Sequence, residues 1–240
     1  MTLDDILPSL FPDGHDIARA DGLLMGMAKL EGGSAAVVVG VEGRAALGVD
    51  GALKLSGHVI EALDRDGTDP ILVLIDSDSQ RMSKRDELLG LNEFLAHLAK
   101  ALIFADLRGR PTVGVLYGHT AAGAFIATAL ATRVLVGLPG AEPEVMDLPS
   151  MSKVTKLSVD VLKEKAQSTP VFAPGLDNLA RMGAVLETWD PSKPLADQLA
   201  SVLRRVEAGD RRDALGRDRQ GRPKAAAIAE QVRELATRPG

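Results

Sequence analysis

The stretch Pro111 to Phe125, PTVGVLYGHTAAGAF, constrains the fold of this chain more than any other. Thr112 to Tyr117 has the length and the valine content of a buried strand. Gly118 to Ala121 turns sharply, and the pattern then becomes helical from Ala122 to about Ala131. A helix begun so abruptly leaves its first N–H groups unpaired, with the positive end of the peptide dipoles behind them. Gly123 and the alanines beside it have too little side chain to keep a ligand oxygen off the backbone. The segment therefore predicts an oxyanion site built from backbone amides. Ala122, Gly123 and Ala124 are its expected donors, and Gly118, His119 and Thr120 are its expected substrate-binding edge. Close packing of a helix on a sheet calls for the same small residues, so residue type alone leaves both readings open.

Other chemistries are excluded at this turn. Gly118 and Gly123 bracket four residues as in a phosphate-binding loop, but Ala124 and Phe125 stand where lysine and Ser/Thr are needed. No G-x-S-x-G elbow occurs, and no serine lies between Ser83 and Ser150. Cysteine is absent, which removes thiol nucleophiles, thiolate metal sites and disulfides together. The four histidines, His15, His58, His97 and His119, have no paired ligand spacing, so no metal site is expected. His119, at the mouth of the turn, is the best-placed titrating group.

The 240 residues suit one or two domains. Aromatic residues make up 3%, so the core must be Ala, Val, Leu and Ile, and a base-stacking surface is not expected. With a net charge of -5 there is no general attraction to phosphate backbones, and no nucleic-acid partner is expected. No apolar run approaches the roughly 20 residues needed to cross a bilayer. The acidic N-terminus MTLDDILPSLF, broken by Pro8, does not read as a leader. A soluble, cytoplasmic protein is the expectation.

Along the chain, a helix is expected from about Ile17 to Leu30, closed by Gly32-Gly33. Ser34–Val41 and Arg44–Val49 read as a hairpin about Glu42-Gly43, followed by a helix capped by Asp50 that runs to about Arg65. Ile71–Asp76 (ILVLID) is the strongest strand. A polar loop, Ser77–Arg85, leads into one long helix, Asp86–Leu107, and Arg133–Gly137 is a further strand. Strands alternating with helices imply a parallel sheet with both faces covered. Loops at its carboxyl strand ends would line the ligand crevice, which brings Asp76, Ser79 and Gln80 toward the turn. Asp76 could equally cap its strand or pair with Arg81 or Arg85. Beyond Pro139, proline-punctuated short helices take over, with Met146 and Met151 as core filler and Gln167–Gly175 as a stiff loop. An Arg- and Asp-rich tail carries one amphipathic helix, about Lys224–Ala236, on a flexible charged link.

Four segments, ILVLIDSDSQRMSKRDELLG, PTVGVLYGHTAAGAFIA, LPGAEPEVMDLPSMSKVTKL and QSTPVFAPGLDNLARMGAV, together resemble the γ subunits of biotin-independent malonate decarboxylases. Those proteins are relatives of the acyl-CoA carboxyltransferases. The resemblance runs over roughly residues 15–205 and implies an α/β crotonase-like fold, a spiral of ββα units with flanking helices. It implies a carboxyltransferase-type domain over 1–205 and a charged, partly helical extension over 206–240. The implied reaction is decarboxylation of a malonyl thioester to the acetyl thioester and CO2, in an active site shared with a homologous β subunit. An acyl-carrier subunit with a phosphoribosyl-dephospho-CoA arm and an acyl-transferase subunit would complete the assembly. No cofactor would be bound by this chain, and no biotin would be used. Relatives commonly have a glycine in the loop after the strand aspartate, where Ser77-Asp78-Ser79 stands here. Backbone amides of Ser79 and Gln80 would then form a second, less open hole. A carboxyltransferase subunit of a biotin-dependent carboxylase and a non-catalytic scaffold subunit are the alternatives.

Overall fold

The computed structural model describes residues 1–170, 173–206 and 209–238. In chain order its elements begin α1 (Leu3–Leu10), β1 (His15–Ala20), β2 (Leu23–Lys29), β3 (Ala35–Leu47), α2 (Val49–Leu63), β4 (Ile71–Gln80), α3 (Lys84–Leu88) and α4 (Leu91–Leu107). Next come β5 (Thr112–Leu116), β6 (His119–Ala121), α5 (Ala122–Ala127), β7 (Val134–Gly137) and β8 (Glu142–Glu144). The remainder is α6 (Leu148–Thr155), α7 (Val159–Ser168), α8 (Leu176–Arg181), β9 (Glu187–Thr188), α9 (Leu195–Arg205), α10 (Arg212–Asp218) and α11 (Ala225–Thr237). They fall into two compact units, Met1–Val145 with Glu187–Val206, and Met146–Leu186 with Glu207–Gly240.

The first unit is built on a seven-stranded sheet in the order β1-β2-β3-β4-β5-β7-β9. β1, β2 and β3 are antiparallel, and every step from β3 to β9 is parallel. Ile71 to Ile75 of β4 and all five residues of β5 are buried, as continuous apolar strands covered on both faces should be. A separate two-stranded parallel sheet pairs β6 with β8. This mixed α/β architecture is the one expected.

Several expected elements are corrected. Residues 17–30 are not helical but form the hairpin β1–β2, with Ala20 opposite Leu23. Asp21 and Gly22 both adopt left-handed φ, 55° and 75°, which makes the two-residue turn that matches strand twist. The Asp-Gly pair outweighs the helical spacing around it. Residues 34–49 are not a hairpin either. β3 runs through Gly43-Arg44 with a register shift between Val41 and Ala45, because β2 already occupies its antiparallel edge. Gly48, rather than Asp50, caps α2. The expected loop after Asp76 is strand as far as Gln80, since the end of β3 pairs with it at Ala45–Ser77 and Leu47–Gln80. Gly90, left-handed at φ 82°, breaks the expected long helix into α3 and α4.

In the second unit, Met146 is exposed rather than core filler. A helix, α10, forms where the sequence reads as a flexible link. Arg219, just beyond it, donates to three carbonyls, of Ala180, Val185 and Leu186, at 2.6–2.8 Å. Val171 and Phe172 of the expected stiff loop lie outside the described residues.

Candidate oxyanion site

The end of β4 governs the geometry of the turn. Side chains alternate along a strand, so Asp76 and its neighbour Ser77 face opposite ways, and a register irregularity follows between Ser77 and Gln80. Asp76 and Asp78 approach His119, and Gln80 reaches Gly123. Asp76 Oδ1 accepts from the His119 N–H at 3.1 Å. Asp78 Oδ1 lies 4.0 Å from His119 Nε2, outside hydrogen-bond range. Gln80 Oε1 accepts from the Gly123 N–H at 2.8 Å. On the opposite face the Ser77 and Thr120 hydroxyls bond each other at 2.8 Å, which lets two polar residues be fully buried.

Small residues make this apposition possible. A methyl group on Gly118 would overlap the Asp76 carboxylate, and one on Gly123 would sit 3.0 Å from Gln80 Oε1 and 3.1 Å from Leu95 Cδ1. Ala122, left-handed at φ 48°, swings the chain from β6 into α5 within a single residue. A non-glycine residue in that region costs about 1–2 kcal/mol. Beside the turn, Tyr117 donates to the Val41 carbonyl at 3.3 Å. Burial, reinforced by the nearby Asp76 charge, raises its pKa and keeps the phenol protonated.

The sequence-predicted residues thus converge in part. Gly123 is bonded to Gln80, while Gly118 and His119 both meet Asp76. Ala122 and Ala124 flank Gly123 at the start of α5, where N–H groups precede the first helical acceptor. Ser79 donates to the Gln80 carbonyl at 3.2 Å, and Thr120 turns inward to Ser77. Gln80 reaches Gly123 through its side chain, not through the backbone amide expected of a loop. Asp76 does not cap its strand, which runs on to Gln80, and among the described residues it pairs with neither arginine: Arg85 is bound to Asp50 and Asp86, and Arg81 reaches the Ala46 carbonyl. His119 is 12% exposed in its side chain, with Glu142 Oε2 4.0 Å from Nδ1 on its second side. Among the described residues no cluster of His, Asp or Glu could hold a metal, and no helix is long and apolar enough to cross a membrane.

The mixed sheet, with a strand, sharp turn and short helix at Thr112–Ala127, gives the chain a crotonase-like fold. The transcarboxylase 12S structure shares the fold, with a TM-score of 0.69 at 17% identity over 85% of this chain and 40% of that one. A Pseudomonas malonate decarboxylase hetero-tetramer in complex with coenzyme A gives 0.80 at 24% identity, over 96% of this chain and 98% of that one. The Pseudomonas MdcD-MdcE hetero-dimer gives 0.75 at 24% identity over the same shares. Malonyl-S-ACP:biotin-protein carboxyltransferase MADD of Malonomonas rubra is 30% identical over 196 residues, 73% of this chain and 67% of that protein. The chain belongs to the malonate decarboxylase gamma subunit family, whose sequence model matches residues 43–236.

Proposed function

We propose that this chain is one half of a malonyl-thioester decarboxylase whose active site is shared with a β subunit of the same fold. The substrate is a malonyl group on the phosphoribosyl-dephospho-CoA arm of an acyl-carrier subunit, loaded by an acyl-transferase subunit. The products are the acetyl thioester and CO2. Breaking the bond from the α-carbon to the carboxylate leaves the electron pair as an enolate on the thioester oxygen, and the α-carbon then takes up a proton. The β subunit holds the thioester oxygen, and the amides of Ala122, Gly123 and Ala124 hold the departing carboxylate. The observation that carries this assignment is the Gly123 N–H, which already binds a carbonyl-type oxygen at 2.8 Å. The carboxylate loses its charge as CO2 leaves, so this donor binds and orients the group through a charge-assisted hydrogen bond of about 1.5–3 kcal/mol. The chain binds no cofactor of its own, and its complex works without biotin.

Crowding that donor tests the assignment. Gly123→Val in the assembled complex should lower kcat/KM for malonyl-thioester decarboxylation by about tenfold or more, the worth of a hydrogen bond to a charged group, while leaving assembly intact. Undiminished turnover would remove Gly123 from the reaction. The Malonomonas relative, which by its name passes the carboxyl group to a biotin protein, favours a second reading as a carboxyltransferase subunit. Avidin added to the same assay separates the two: turnover should persist, and its loss would establish the biotin-dependent reading.

A further inference from the structure

We propose that the Gln80 carboxamide is a built-in competitor for the oxyanion site, occupying the Gly123 donor until a negatively charged oxygen displaces it. The inference rests on the functional reading above and adds a selectivity to it. Gln80 ends β4, and its Oε1 takes the Gly123 N–H at 2.8 Å, the position a ligand oxygen would need. Its other end is weakly held: among the described residues Nε2 meets only the Met82 sulfur, at 3.7 Å, and that residue is 76% exposed. Sulfur is a poor acceptor, so release of the carboxamide breaks one neutral hydrogen bond and little else.

The competitor is neutral, and that decides which ligands win. A thioester carbonyl that displaces it exchanges one neutral acceptor for another and gains almost nothing. A carboxylate forms a charge-assisted bond, roughly twice as strong as the neutral one. Gln80 therefore screens the site for charge: the malonyl carboxylate enters, and the uncharged acetyl thioester, once formed, is released as the carboxamide returns. Gln80 is thus a specificity-determining residue that acts by vacating its place.

Malonate, titrated calorimetrically into the full chain assembled with its β-type partner, reads this directly. Gln80→Met keeps the length of the side chain and deletes the acceptor. It should bind malonate about fivefold more tightly than the wild type, since the neutral bond is no longer there to be broken. Gln80→Glu places a carboxylate on the Gly123 N–H and should bind malonate at least about tenfold more weakly. If Gln80 merely braced the turn, both substitutions would weaken binding, and Gln80→Met binding no tighter than wild type overturns the proposal. So does Gln80→Glu binding as well as wild type. A wild-type complex that binds no malonate removes the anion site itself, and the role of Gln80 with it. Malonate binding to wild type without the Gln80→Met gain removes only the role of Gln80.

Discussion

Ala122 and Gly118 set the turn by opposite means, one by tolerating strain and the other by having no side chain. At Ala122 the left-handed φ of 48° is adopted by a residue with a Cβ. Ala122→Gly should therefore cost no stability, whereas the β-branched Ala122→Val should cost about 1–2 kcal/mol or more in urea unfolding. Equal stability of the two would show that the turn relaxes away from this conformation. At Gly118 any methyl group collides with the Asp76 carboxylate that holds the His119 amide. A hydrogen bond to a charged group contributes about 1.5–3 kcal/mol, and Gly118→Ala should forfeit an amount in that range. A change within about 0.5 kcal/mol would mean that the carboxylate relocates without loss.

At the scale of elements, the first unit depends on its ladder and the second on point contacts. Arg219 joins the segment after α10 to the carbonyls of Ala180, Val185 and Leu186 through one planar guanidinium. Arg219→Ala should destabilise this unit by about 2 kcal/mol or more, read as faster amide exchange and tryptic cleavage within residues 209–222. Arg219→Lys has no fork to span three acceptors and should fall between. Unchanged exchange in Arg219→Ala would exclude the clasp. This contact was not legible in the sequence, because an arginine in a run of balanced charges has no signature until the fold gives it carbonyls. The apolar runs at 71–75 and 112–116 were legible, since burial on both faces leaves little choice of residue. The hairpin at Asp21-Gly22 carried its signal openly, yet the helical spacing of Leu23, Leu24 and Met27 competed with it. The strand beyond Asp76 was hidden because Ser77 is buried by a partner 43 residues away, Thr120. The sharp turn from strand to helix was legible at Gly118–Ala124; the Gln80 side chain seated on it was not.

At the scale of the whole molecule, the proposed shared site makes the chain an incomplete enzyme. The polar side chains along the turn are the carboxylates Asp76, Asp78 and Glu142, gathered about His119, and the neutral Gln80 on Gly123. Nothing in that set holds a thioester oxygen while a carboxylate departs, and a second chain is assigned that task. Reconstitution tests this most directly. The chain, its β-type partner and the two mixed are each assayed for release of CO2 from a malonyl thioester on the carrier subunit. The mixture should turn over, while each subunit alone stays at the uncatalysed background. Turnover by the isolated chain at a rate comparable with the mixture would contradict a shared site.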